Sequence, residues 1–511
     1  ISKYNTLDAM AEYPFRPQSI AIIGGGVSGL QALRALENLP QLQKIVLFEK
    51  SNEIGGVWRS NYAGYGAQVK REQYSFVELD SKNLDLYPTG RQLKLHCEDY
   101  VHTFSLRPFL RLGVQVQKLF HDRSKRCWRL ALNDETCEDF DFVVLAIGNF
   151  SEKFIPEVLG MQNFMGHILH SCDLVDAQLV RNHHVVVVGY GKSALDCFIL
   201  ASKEATSVTL VARSPAWILP QRFLGIPLEY LASTRWFANM VFPPYHNASW
   251  LRRIIGYVLV PFQAILWWIL SPMVWLHFCL PRSMWPQFSL RWQLWHGHVV
   301  SICNAQNVKE AFARPNAHCM RGEIVGLTGT SVVVEDAITK TRKEQPADVV
   351  VFATGYRECW SKLFDEETLA ALDPYGDGSL DLFKLMLPQV PQLAFVGRVL
   401  TTCDIVTSFI QAQWLAALLQ GHFSWPNLST RIQWSQRYRQ WRQMFGPKSG
   451  QTFIAVPRVF SYFDELMSDL DIPKLGWSGC RRFFSPLAAR HFVDVPCRQA
   501  KVVRLHSQEA P

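Results

Sequence analysis

No Cys-x-x-Cys pair occurs in this chain, and its twelve cysteines are scattered along it. That spacing argues against a disulfide framework, a zinc site and a dithiol redox centre together. No metal is expected. A reducing compartment fits such cysteines, so the sequons at Asn247 and Asn427 read as chance matches. Long basic runs are missing too. A net charge of +8 is modest for 511 residues, which points away from nucleic acid but is compatible with anionic lipid or a phosphorylated cofactor. The first residues carry no signal-peptide pattern, and no low-complexity linker divides the chain. No nucleophile–histidine–acid arrangement can be traced either. What remains is apolar bulk: 48% hydrophobic against 19% charged residues, in a chain long enough for two or three domains.

The strongest local pattern stands near the start. Ile20 to Ile23 form a short apolar run, as a strand buried in a parallel sheet does, and Gly24, Gly26 and Gly29 follow on G-x-G-x-x-G spacing. A helix is predicted over 30–39. Gly24 permits the tight turn, Gly26 lets a pyrophosphate approach the backbone, and Gly29 lets the helix pack on the strand. The helix start then offers free N–H groups and a positive dipole end to phosphates. The next predicted strand, 44–48, runs into Glu49, twenty residues after Gly29, where a carboxylate accepts from a ribose diol. Beyond it, Gly55-Gly56-Val57-Trp58 suits a backbone passing close to a flat ring system. A plain-ribose dinucleotide such as FAD is expected here.

A second copy of the pattern follows. Val185 to Val188 lead into Gly189-Tyr190-Gly191-Lys192-Ser193-Ala194, with alanine as the smallest substitute for the third glycine. The next strand, 207–212, ends in Arg213, nineteen residues after Ala194. A guanidinium there pairs with a 2′-phosphate, so the second site suits NADPH. The two units also close alike, on Asp141 to Gly148 and Asp348 to Gly355, which marks an internal repeat.

The repeats differ in length: 124 residues separate Gly24 from Gly148, and 166 separate Gly189 from Gly355. The excess falls on residues 223–300, which hold eight of the seventeen tryptophans. Within them, residues 254–280 form a 27-residue stretch without a charged residue, flanked by Arg252, Arg253 and Arg282. Three readings are open. The stretch lies in a membrane interface, with indole rings at the headgroups; it folds as a buried lid over the active site; or it spans a bilayer. Pro261 and Pro272, with Gln263, Ser271 and His277, weigh against the span.

Between the two glycine motifs lies Phe164-Met-Gly166-His-Ile-Leu-His170. This F-x-G-x-x-x-H stretch resembles the signature of flavin-containing and Baeyer–Villiger monooxygenases, the class B flavin monooxygenases. Gly-Gly-Val-Trp at 55–58, Ala-Thr-Gly-Tyr at 353–356 and Gln411-Ala-Gln-Trp414 resemble the same family, and the likeness runs from about residue 18 to 420. It implies an α/β fold of two nested Rossmann-like domains, FAD in the first and NADPH in the second. By this resemblance Thr354, Gly355 and Gln411 join the cofactor-binding residues. Gln68, after an Asn61-Tyr62-x-Gly64 loop, is expected at both cofactor and reaction, and Tyr74 and His170 are the remaining catalytic candidates. His170 is equally a hydrogen-bonded hinge between the domains. Leu174, four residues after His170, departs from the aromatic usual in the family and leaves the subclass open.

The resemblance further implies insertion of one oxygen atom from O2 into a lipophilic organic substrate through a flavin hydroperoxide. The alternative is an NADPH-dependent reductase or oxidase without oxygenation. The expected layout assigns 1–180 and 361–430 to the FAD domain and 181–360 to the NADPH domain, with the insertion at 223–300. Residues 431–511 form a helical or irregular extension. The insertion makes membrane surface contact the expected partner interaction besides substrate and O2, and the expected location is the cytosolic face of a membrane, such as the endoplasmic reticulum, or the cytoplasm.

Overall fold

The computed structural model describes residues 16–122, 124–296, 301–373, 380, 382–390, 392–445, 458–472 and 485–493. Strand β1 (Ser19–Ile23), helix α1 (Val27–Leu36) and strand β2 (Lys44–Glu49) open the chain. β1 is the centre of a five-stranded parallel sheet. Its order is Leu393–Phe395, Phe142–Leu145, β1, β2, Leu110–Leu112. β1, Phe142–Leu145 and Leu393–Phe395 are buried almost throughout, which is why they read as unbroken apolar runs rather than alternating ones. A three-stranded antiparallel sheet, Val116–Asp122, Cys127–Leu132 and Cys137–Phe140, packs fully buried Trp128 beside this unit.

The second unit repeats the scheme with β3 (His184–Val188), α2 (Lys192–Glu204) and β4 (Ser207–Ala212) in a seven-stranded sheet. The repeat extends to single atoms. Asp141 Oδ2 accepts from Gln18 N and Ser19 N (2.8 and 2.9 Å), and Asp348 Oδ2 accepts from His184 N (2.7 Å). Each aspartate therefore fastens the start of its unit's first strand. Gly24 and Gly189 turn the chain at φ +112° and +127°, and at both a Cβ would lie 2.5 Å from a carbonyl oxygen, of Ala146 and Ala353 respectively. Only glycine fits such a turn.

Three boundaries differ from the sequence reading. α1 begins at Val27 rather than at residue 30, because Gly26 takes the cap position and the chain coils at once. The strand His167–His170 pairs with Val349–Phe352, so the first unit ends well before residue 180. The described residues after 430 pack into the first core, and the rest of 431–511 lies outside the described residues. Helix α3 (Trp250–Val258) and helix α4 (Val260–Phe278) form the insertion's long arm, and α5 (Asp404–Leu419) returns to the first core. α6 (Leu428–Phe445) and α7 (Val459–Asp469) follow. Val459, Phe460, Phe463 and Leu466 of α7 join the same buried cluster as Ile20, Leu33 and Trp414.

α4 runs through both of its prolines. Pro261 sits in the first turn, where no N–H is required, and Pro272 lies inside the helix. The polar residues that dilute the stretch are tied inward. Gln263 Nε2 donates to Met240 O (2.8 Å), Ser271 Oγ to Trp267 O (2.7 Å), and His277 Nδ1 lies 2.8 Å from Met273 O. Among the described residues, α4 is the one helix long and apolar enough to cross a membrane. Gln263, Trp267, Val274 and Phe278 form its buried stripe, while Phe262, Ile265, Trp268 and Leu276 are exposed.

Candidate active site

Three segments converge at the first glycine turn. Gly26 caps α1 without a side-chain hydrogen bond, leaving the helix's first N–H groups open. Glu49 is held beside them, its Oε2 accepting from Gly25 N (2.7 Å) and its Oε1 from Ser51 N (2.8 Å). The Gly55-Gly56 turn docks through Gly55 N donating to Gly25 O (2.9 Å). A Cβ on Gly26 would meet nothing nearer than Gly56 Cα at 3.5 Å, and one on Gly191 would meet nothing within 4 Å. The protein itself therefore gives no reason for glycine at either place. A dinucleotide phosphate lying on each bare helix start does, and the residues fit such groups.

Around this turn Val57 is exposed and Trp58 is flanked by aromatics: Tyr65 stacks on it (6.1 Å, 11°) and Tyr74 meets it edge-on (5.4 Å, 79°). Burial, with Asp404 nearby, pushes the Tyr74 phenol well above its usual range, so it stays a neutral hydroxyl. Asp404, in the first turn of α5, has its own carboxyl pushed up to about 7 by burial, although Thr401 N donates to it (2.7 Å). Gln68 bridges the units, its Oε1 accepting from Ile302 N (2.9 Å).

In the second unit Gly191 caps α2 as Gly26 caps α1, Ser193 is partly buried, and Ala194 is fully buried. Arg213 stands at the end of β4 with its side chain 74% exposed, its Nη1 3.3 Å from Glu323 Oε1. Such an exposed pair is weak and gives way to a phosphate.

His170 lies away from any opening. It is fully buried, its Nε2 is 2.9 Å from Gly355 O, and its Nδ1 is 3.1 Å from Cys172 Sγ. Burial lowers its pKa, against the hydrogen bond to Gly355, and the ring is neutral with both nitrogens engaged. That geometry favours the hinge over proton transfer to a substrate. Thr354 Oγ1 donates to Phe154 O, and Gly355 O accepts from Phe154 N (3.0 Å). Gln411 is also interior: its Oε1 accepts from Gly397 N (2.8 Å) and its Nε2 donates to Tyr462 Oη (2.6 Å). It shapes the Gly397 turn and does not itself present an open polar group.

The sequence reading missed Tyr62, whose hydroxyl donates to Asp196 Oδ2 (2.9 Å) beside Lys192, joining the first unit to α2. It lay inside a loop already singled out. It also missed Asp404 and Glu229, which carry no local motif. A cavity of about 270 Å³ opens between the insertion and the first unit. Trp236, Phe237, Trp267 and Leu290 line one side, Val69, Ile302 and Thr402 another, and Glu229 is its one ionisable lining residue among the described residues.

Two units, each ending a strand in a bare glycine turn, define a two-dinucleotide flavoprotein oxidoreductase. The chain belongs to the flavin-binding monooxygenase-like family, whose model matches residues 17–248 and 315–477 and leaves out the stretch that contains α3 and α4. It is an oxidoreductase of the monooxygenase class. The FAD-binding monooxygenase ktnD of Aspergillus niger is 25% identical over 74% of this chain, and the match spans 62% of that relative's length. A probable flavin-containing monooxygenase 1 of Arabidopsis thaliana is 24% identical over 80% of this chain and 83% of its own. Among solved structures, a cyclohexanone monooxygenase superposes with TM-score 0.68 at 16% identity, covering 89% of this chain and 98% of that one, and so shares the fold.

Proposed function

We propose that the chain is an NADPH- and FAD-dependent monooxygenase that places one atom of O2 on a lipophilic substrate held in the insertion's cavity. The observation that carries this reading is the pair of bare helix starts, the first beside Glu49 and the second beside Arg213. FAD is held by the Gly24–Gly29 turn, Glu49 and the Gly56-Val57-Trp58 segment. NADPH is held by Gly189, Gly191, Ser193, Ala194 and Arg213, with Thr354 and Gly355 at the junction. Held there, FAD would supply hydride acceptance from NADPH and oxygen activation. The chain's own part is to orient the two cofactors through Gln68, Tyr62 and His170, and to exclude water with an apolar cavity. The exposed apolar face of α3 and α4 supports a further reading, that the enzyme rests on the cytosolic surface of a membrane.

The test is stopped-flow absorbance of the reduced holoenzyme mixed with oxygen, NADP present. A near-ultraviolet transient preceding the oxidised flavin spectrum, together with an oxygenated product by mass spectrometry, is expected. Direct return to the oxidised spectrum with stoichiometric hydrogen peroxide, across amine, sulfide, ketone and terpenoid panels, overturns the reading in favour of a reductase or oxidase.

A further inference from the structure

Glu229 is the anomaly of the cavity. It is only 5% exposed, it opens a single helical turn in the insertion, and it lines a space whose other walls are almost wholly apolar. One carboxylate oxygen is satisfied: Oε1 accepts from Lys70 N at 3.0 Å. The other, Oε2, is buried and has no hydrogen-bond partner among the described residues. The nearby Lys70 ammonium does not supply one, since it lies 3.7 Å from Glu72 Oε2 and 3.3 Å from the Tyr230 hydroxyl. An unmet carboxylate oxygen in apolar surroundings is costly, and native structures retain few of them. Burial raises the Glu229 pKa, opposed by backbone hydrogen bonds and by Lys70, so the group gains whenever a donor reaches it.

We propose that Glu229 is a specificity-determining residue: the cavity takes an apolar molecule bearing one hydrogen-bond donor, a hydroxyl or an ammonium group, which the Glu229 carboxylate accepts when its side chain turns Oε2, enclosed in the unliganded fold, toward the space. The apolar walls then bury the rest of the molecule, and Glu229 fixes which end points where. Val69, Ile302 and Thr402 line the same space, next to Gln68 and the start of α5, so a molecule anchored at Glu229 extends along the junction of the two units. This assignment rests on reading the cavity as the substrate site of the monooxygenase.

The test is binding to the FAD-loaded full chain, read by quenching of tryptophan fluorescence, since Trp236 and Trp267 line the cavity. Three probes of one shape are compared: 4-phenylbutylamine, 4-phenylbutan-1-ol and 4-phenylbutyl methyl ether. At least one donor probe should bind more tightly than the ether, by about tenfold for the alcohol and up to about a hundredfold for the ammonium. Which of the two gains more identifies the group recognised. Glu229→Gln keeps an oxygen for Lys70 N but turns an amide NH2 to the cavity, so it should erase the preference or reverse it toward the ether. Glu229→Leu, checked for flavin content and melting temperature, should erase it as well. Equal binding of all three probes by the wild type, no binding of any, or a donor preference that survives Glu229→Gln overturns the proposal. Binding requires no turnover, so the two readings fail separately. A donor-selective cavity without the oxygen-dependent transient defeats only the monooxygenase, and the transient without donor selectivity defeats only Glu229.

Discussion

Gly26 and Gly29 stand in one turn, yet a methyl group added to each would meet different things. At Gly29 it would lie 1.9 Å from Gly24 O, inside the fold itself. At Gly26 the space is open, and only a bound pyrophosphate would occupy it. Gly26→Val should therefore give a folded protein without flavin, while Gly29→Val should give little folded protein at all; urea unfolding followed by tryptophan fluorescence separates the two, and flavin absorbance is expected of neither. Arg213→Ala should raise the KM for NADPH about tenfold to a hundredfold and leave that for NADH nearly unchanged. Glu323→Gln should lower the KM for NADPH by releasing Arg213, and an equal effect on both nucleotides would make Arg213 structural. Asp404 makes a pH prediction. With its carboxyl pushed up to about 7 by burial, the folded chain holds this proton to higher pH than the unfolded chain does. Its contribution to stability is thus greatest in acid and is lost as pH rises from about 4 to about 7. Asp404→Asn keeps an acceptor for Thr401 N, and its urea midpoint relative to wild type should rise between pH 5 and pH 8. A constant difference across that range would refute the shift.

Helix α4 serves two surfaces with adjacent tryptophans. Trp267 is 4% exposed and lines the cavity, whereas Trp268 is 77% exposed on another side of the helix. The separation follows from helical spacing: neighbours in sequence lie about 100° apart around the axis. Trp268→Ser should reduce co-sedimentation with phosphatidylcholine–phosphatidylserine vesicles and leave melting almost unchanged. Trp267→Ser should leave vesicle binding intact but destabilise the protein by about 3–5 kcal/mol, as loss of a packed indole does. If both variants behave alike, the helix has one functional face and not two.

At the scale of the molecule, the C-terminal helices fasten the insertion over the first unit. Arg235, 3% exposed in its side chain, makes two hydrogen bonds to the Asp464 carboxylate of α7 (2.7 and 2.6 Å). Glu465 accepts from Asn247 Nδ2 (3.0 Å) and from Trp434 Nε1 of α6 (2.9 Å), and Trp441 Nε1 donates to Pro244 O (3.0 Å). Removing one partner of a buried pair strands the other charge, so Arg235→Ala should cost about 3–5 kcal/mol. Because the clamp joins separate segments, that loss should appear as faster thermolysin cleavage within 223–300 while flavin stays bound. Unchanged cleavage would show that packing alone holds the insertion.

Local pattern determined a great deal here. The two glycine turns, their strands, the acid after one and the arginine after the other were legible because each lies within some thirty residues of chain and obeys fixed spacing. The aspartate at the close of each repeat was legible as a repeat, although its task of fastening β1 and β3 was not. Tertiary structure decided what depends on distant partners: Tyr62 on Asp196, Gln68 on Ile302, Glu229 on Lys70 and Arg235 on Asp464, pairs separated by 134 to 234 residues. It also gave the helix within the 254–280 stretch one covered side and one exposed side. An uncharged sequence specifies how much apolar surface a helix carries, but which side is covered depends on what folds against it.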